Sequence, residues 1–239
     1  MAVLFCGLHA PITVQAGIIE VFGDVNSMAS NTAPRNQLLD NLLGSGTNVV
    51  VSDKLPSDYP DGSTFNNHFN STFGVTSTLS SASIDSSVLT GVDLLFVNIG
   101  CCGTGPAGNP YSAAEVSAMA TFLQSGGNVG LLSEPCCYNA AQGTWLNTML
   151  TALGSTIQFT GWVGDAGTAT MSTSPLTTGV VGYAPGTFST LTGGQSLATL
   201  NGHTMIASDN IAGVHEPATL ALLGLSLLGL AFNRRRRLR

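Results

Sequence analysis

Residues 92–99 read VDLLFVNI, apolar at every position but Asp93 and Asn98. Side chains alternate along a strand, so a strand apolar at successive positions is covered on both faces. Residues 128–133, NVGLLS, repeat the pattern. Between them lies a helix signature. Ser112 and Glu115 form the S-x-x-E capping box, Val116, Met119, Ala120 and Leu123 follow at helical spacing, and Gly126-Gly127 ends the run. Strand, helix and strand in this order make a parallel unit with a right-handed crossover. The chain is therefore committed to an α/β sheet with helices on its faces.

The rest of the body extends this reading. Residues 18–22 (IIEVF) form a short β-branched strand ended by Gly23-Asp24. Pro34 opens a helix with Leu38, Leu39, Leu42 and Leu43 on one face, and Gly44 closes it. Residues 48–52 (NVVVS) are a second strand. The polar stretch 53–87 is long for a loop and holds an element that the pattern does not place. Thr144 is positioned to cap a helix carrying Trp145, Leu146, Met149, Leu150 and Leu153, with strands expected over 155–159 and 203–207. The expected fold is a three-layer, flavodoxin-like, mostly parallel sheet over residues 17–213, followed by a C-terminal apolar helix.

Charge is placed unevenly. Five of the seven basic residues are Arg234, Arg235, Arg236, Arg237 and Arg239; the residues before Arg234 hold thirteen acids and two bases, a formal charge of −11. Such a body repels phosphate backbones, which speaks against nucleic acid as a partner. Charged residues are only 8% of the chain, against roughly 25% in ordinary soluble domains. Ser, Thr, Asn and Gly supply the surface polarity instead.

Residues 219–232, TLALLGLSLLGLAF, carry no charge. As a helix they would span about 21 Å, less than the roughly 30 Å of a hydrocarbon core. Length alone fits a buried core helix or a short membrane segment. The run is apolar on every face and ends in the Arg cluster, which favours a membrane segment whose end is held on the cytoplasmic side.

The order of His215-Glu216-Pro217, a Leu/Gly-rich run and a terminal Arg cluster resembles the PEP-CTERM sorting tag of exported Gram-negative proteins. Here His215 stands where the family has the first Pro of Pro-Glu-Pro. The resemblance implies an exosortase-type processing enzyme as partner, export to the cell envelope or extracellular matrix, and an association with extracellular polysaccharide. At the other end, residues 1–16 are read as a signal peptide: an apolar start, then Val14 and Ala16 as the small residues before a cleavage at Gly17. The competing reading is a short N-terminal strand.

The body carries a second resemblance. The Gly-Asp after the first strand, LTGVDLLFVN (89–98), QSGGNVGLLSE (124–134) and SPLTTGV (174–180) are similar to class I glutamine amidotransferase-like domains of the trehalose-utilisation type. Active members use a Cys on a sharp elbow with a His and a Glu. Cys101-Cys102 between Gly100 and Gly103 is the nearest approach, and no His-x-Glu pair follows. The G-x-G-x-x-G of residues 103–108 precedes Pro110 rather than opening a helix. No catalytic residue, cofactor or metal is assigned.

Ligands of open α/β sheets bind beyond the C-terminal strand ends. Asp24, Asn26, Asn98 and Glu134, with Asp53 and Asp209 as further candidates, stand at such ends and form a candidate acidic cleft; the competing reading is that Asp and Asn there serve turns. Cys101, Cys102, Cys136 and Cys137 follow two neighbouring strands. They are expected to cross-link between the two loops, with a zinc site or buried thiols as alternatives. The function expected is that of an exported, non-catalytic binding or structural domain, with a glycan or amide hydrolase as the alternative.

Overall fold

A computed structural model of the chain describes residues 16–55, 59–101, 109–135 and 140–212. Helices are α1 (Val25–Ala29), α2 (Ala33–Leu43), α3 (Ser63–Ser71), α4 (Ala113–Gln124) and α5 (Ala140–Ala152). Strands β1 (Gly17–Phe22), β2 (Asn48–Asp53), β3 (Thr76–Ser80), β4 (Leu94–Cys101) and β5 (Asn128–Glu134) are parallel; β6 (Gln158–Gly164), β7 (Thr170–Met171), β8 (Thr187–Thr192), β9 (Gln195–Leu200) and β10 (His203–Ile211) pair antiparallel.

The strands stand in the order β3-β2-β4-β5-β1-β10-β8-β6, with β9 beside β10 and β7 beside β9. Counted from β2, the parallel half follows the doubly wound order 2-1-3-4-5, and the N-terminal strand β1 takes the fifth place. The sheet is thus parallel in one half only. The expectation of a mostly parallel sheet fails from β6 onward, because no α-helix lies between these strands to carry a parallel crossover.

Two apolar layers sandwich the sheet. Phe22, Val51, Phe96 and Leu132 pack with Leu38, Leu42, Phe65 and Phe69 of α2 and α3. Ile19, Val50, Val97 and Leu131 pack with Met119 and Leu123 of α4 and Leu146 and Leu150 of α5. All eight residues of β4 are buried, as its apolar run requires. The α4 capping box forms: Ser112 Oγ accepts the Glu115 amide at 3.4 Å, and Glu115 Oε2 accepts the Ser112 amide at 2.9 Å.

The unplaced stretch 53–87 contains α3 and β3. The α5 helix starts at Ala140, so Thr144 is not its cap; its hydroxyl donates to the Ala140 carbonyl one turn back. The strand expected over 155–159 runs from Gln158 to Gly164. Among the described residues no helix is long and apolar enough to cross a membrane. The apolar run 219–232, His215, Glu216, Pro217, the Arg cluster and residues 1–15 lie outside the described residues.

Candidate functional site

The C-terminal ends of the parallel strands share one edge. At β1, Gly23 donates to the Met205 carbonyl at 2.8 Å and accepts the Ser189 amide at 2.7 Å. A Cβ here would lie 2.5 Å from the Ser189 oxygen, so only Gly lets β1 wedge between β8 and β10. The next residue, Asp24, is fully buried and caps α1 through the Ser27 amide, 3.0 Å from Oδ1. Tyr183 Oη lies 3.5 Å from its Oδ2. Burial pushes the Asp24 carboxyl up, against the pull of these hydrogen bonds.

Glu134, at the end of β5, is also fully buried. Its Oε2 accepts the Val25 amide at 3.1 Å. Its Oε1 accepts Trp162 Nε1 at 3.3 Å and Thr187 Oγ1 at 3.4 Å. Asn26 Nδ2 in turn donates to Thr187 Oγ1 at 3.2 Å. Asp24, Asn26 and Glu134 therefore meet, through α1 and the antiparallel strands β6 and β8.

Asn98 belongs to a different group. It pairs in register with Asp53, where β2 and β4 lead to opposite directions of the sheet. Its Nδ2 donates to the Pro60 carbonyl at 2.7 Å, and its Oδ1 is buried without a hydrogen-bond partner. Asp53 accepts the Gly62 amide at 2.6 Å, and burial pushes its carboxyl up against that bond.

Asp209 does not reach this edge. Because β10 is antiparallel to β1, Asp209 stands opposite Ile19 toward the other end of the sheet, bonding Ser155 Oγ at 3.0 Å and the Thr156 amide at 2.6 Å. Sequence order had grouped it with the strand ends only because β10 was taken as parallel.

Cys101 joins the two groups. It pairs in register with Glu134, and its amide donates to the Tyr59 carbonyl at 2.8 Å. Cys101 is disulfide-bonded, so it is neither a zinc thiolate nor a free thiol. Cys102, Cys136 and Cys137 lie outside the described residues, and among the described residues no cluster of three or more His, Cys, Asp or Glu is placed to hold a metal.

Two aromatic side chains bracket this row. Tyr59 is 52% exposed and Trp162 43% exposed. Sequence reasoning passed over both, along with Thr187. The available signal was a Trp flanked by small and polar residues in TGWVG, a position where no core demands an indole. Chemically, the edge offers fixed aromatic faces, amide and hydroxyl groups, and two carboxylates fully covered by the fold.

The PEP-CTERM protein-sorting motif matches residues 216–237. It implies export to the cell envelope or surface and processing by an exosortase-type enzyme. No curated protein and no solved structure matches the chain.

Proposed function

We propose that the chain is an exported protein of a Gram-negative envelope or matrix whose α/β domain is a non-catalytic binding module for extracellular polysaccharide. On this reading residues 1–16 are a removable signal peptide and residues 214–239 hold the protein at the inner membrane until processing. The doubly wound order of the parallel half supports the flavodoxin-like assignment, while the amidotransferase-like resemblance rests on the sequence segments alone.

The observation that carries the binding reading is Trp162. It is half-exposed, and its indole N–H is bonded to buried Glu134. A ring with one polar end anchored and a face open is preorganised for stacking on apolar faces, such as those of sugar rings, and little side-chain entropy is lost on contact. Neighbouring Asn26 is exposed and supplies amide groups for hydroxyls.

A hydrolase reading has one observation in its favour: Asp24, whose carboxyl burial pushes up, precedes Val25, whose amide bonds Glu134, and raised carboxyls serve as catalytic acids. Against it, both carboxylates are fully buried and engaged by the fold. A catalytic acid must reach the proton it moves.

Affinity electrophoresis of the purified chain against extracellular polysaccharides tests the proposal. Retardation that disappears in Trp162→Ala, with circular dichroism unchanged, is expected. Polysaccharide cleavage abolished by Glu134→Gln would favour the hydrolase.

A further inference from the structure

Gly17 and Ile211 stand opposite each other in the β1–β10 pair. Both ends of the domain therefore lie at the edge where the parallel strands begin, the opposite edge from Tyr59 and Trp162. Asn48 with Thr76, and Leu94 with Asn128, mark the same edge in the other strands.

This edge is chemically unlike the rest of an acidic chain. Its turns at residues 44–47, 72–75 and 125–127 contain no charged residue. The carboxylates near it are charged but hydrogen-bonded within the fold. Asp93 accepts the Thr47 and Asn48 amides at 2.7 and 2.9 Å, Asp209 accepts the Thr156 amide at 2.6 Å, and Asp40 Oδ1 lies 2.9 Å from His68 Nε2. In the turn between α3 and β3, Phe73 is completely exposed, at 102%.

The apolar run begins at Thr219, seven residues after Ala212. Fully extended, that connection reaches about 25 Å, so a tail in the bilayer keeps the domain close to it. Phe73 precedes β3, and the chain leaves from β10. Five strand spacings separate the two strands, roughly 24 Å along the edge.

We propose that this edge is the domain's membrane-facing surface, and that Phe73 enters the headgroup layer of the phospholipid bilayer that holds the tail. The proposal rests on the tail being membrane-held, as proposed above. Exposed Phe, like Trp and Leu, buries at the headgroup boundary of a bilayer, and the turns of this edge bring no charged side chain of their own to that surface. Phe73 and the point where the chain leaves β10, roughly 24 Å apart along the edge, stand the sheet on that edge. The Tyr59–Trp162 row then points away from the membrane, toward ligand.

The test uses the full chain reconstituted into vesicles of phosphatidylcholine with brominated acyl chains, which quench tryptophan at the interface. Phe73→Trp and Tyr59→Trp are compared with the wild type, whose Trp145 and Trp162 set the baseline. Flotation establishes association. The emission added by Phe73→Trp is expected to be largely lost, and that added by Tyr59→Trp retained. A floating chain whose Phe73→Trp emission persists, or in which both are quenched alike, overturns the proposal and leaves the tail reading standing. A full chain that does not float overturns both.

Discussion

The backbone amide of Val25 donates to Oε2 of Glu134 across 109 residues of sequence, at 3.1 Å. This bond ties the first turn of α1 to the end of β5. The same carboxylate orients Trp162 and Thr187, so one buried side chain organises the Asp24–Asn26 half of the candidate edge.

Glu134→Ala should therefore damage more than a contact. It strands the Val25 amide and removes the acceptor of the Trp162 indole. Unsatisfied buried groups cost about 1–3 kcal/mol each, so a Tm fall of several degrees in thermal unfolding is expected. Glu134→Gln keeps an acceptor oxygen and should recover much of the loss.

Gly17→Ala tests the start of β1. A Cβ at Gly17 would lie 2.3 Å from the Leu123 carbonyl oxygen and 2.4 Å from that of Gly127. The β1 start can meet the end of α4 only without a side chain. Overpacking of this kind costs about 1–3 kcal/mol, measurable as a lower denaturation midpoint.

Glu20 sits in the middle of β1, fully buried, with neither carboxylate oxygen hydrogen-bonded among the described residues. Burial pushes its carboxyl well above the ordinary 4.5. The folded state thus binds a proton that the unfolded chain releases, and stability falls as pH rises above about 4.5. Urea midpoints should be higher at pH 5 than at pH 8, and Glu20→Gln should remove much of that slope. Asp24 and Asp53, shifted in the same direction, should leave a remainder.

Glu115 has the opposite sign. Burial pushes its carboxyl up, but Lys54 and the hydrogen bonds from Ser112 and Ile84 outweigh it and hold it down at about 2. Its contribution is present above the ordinary 4.5 and is lost as pH falls toward about 2. Wild type should lose stability through that window, and Glu115→Gln should show a flatter acid limb.

The parallel half was legible because its signals are local. β4 and β5 carry consecutive apolar residues at their centres, and the α4 cap lies within four residues. α3 was hidden because STFNNHFNS shows only Phe65 and Phe69, one turn apart, among polar residues. β6 was misplaced because it is largely solvent-facing and lacks the alternation that marks a strand. At the edge, Asp24 and Glu134 were readable as carboxylates ending strands. Trp162 and Thr187 reach Glu134 from 28 and 53 residues away, and no spacing rule links such residues.

The cysteines give the last prediction. Cys101 is disulfide-bonded and pairs in register with Glu134. Neighbouring strands run about 4.8 Å apart, and Cys136 and Cys137 follow Glu134 by two and three residues. A disulfide needs Cα atoms roughly 4.4–6.8 Å apart, a span that these two cysteines can meet within the loop after β5. Bonding to the adjacent Cys102 would instead strain the backbone, and Cys6 belongs to the segment read as removed on export. Non-reducing peptide mapping should therefore recover Cys101 joined to Cys136 or Cys137. Closing a loop of roughly 35 residues contributes about 3–4 kcal/mol, so reduction should lower the Tm by several degrees. A Cys101–Cys102 or Cys101–Cys6 peptide would overturn the pairing.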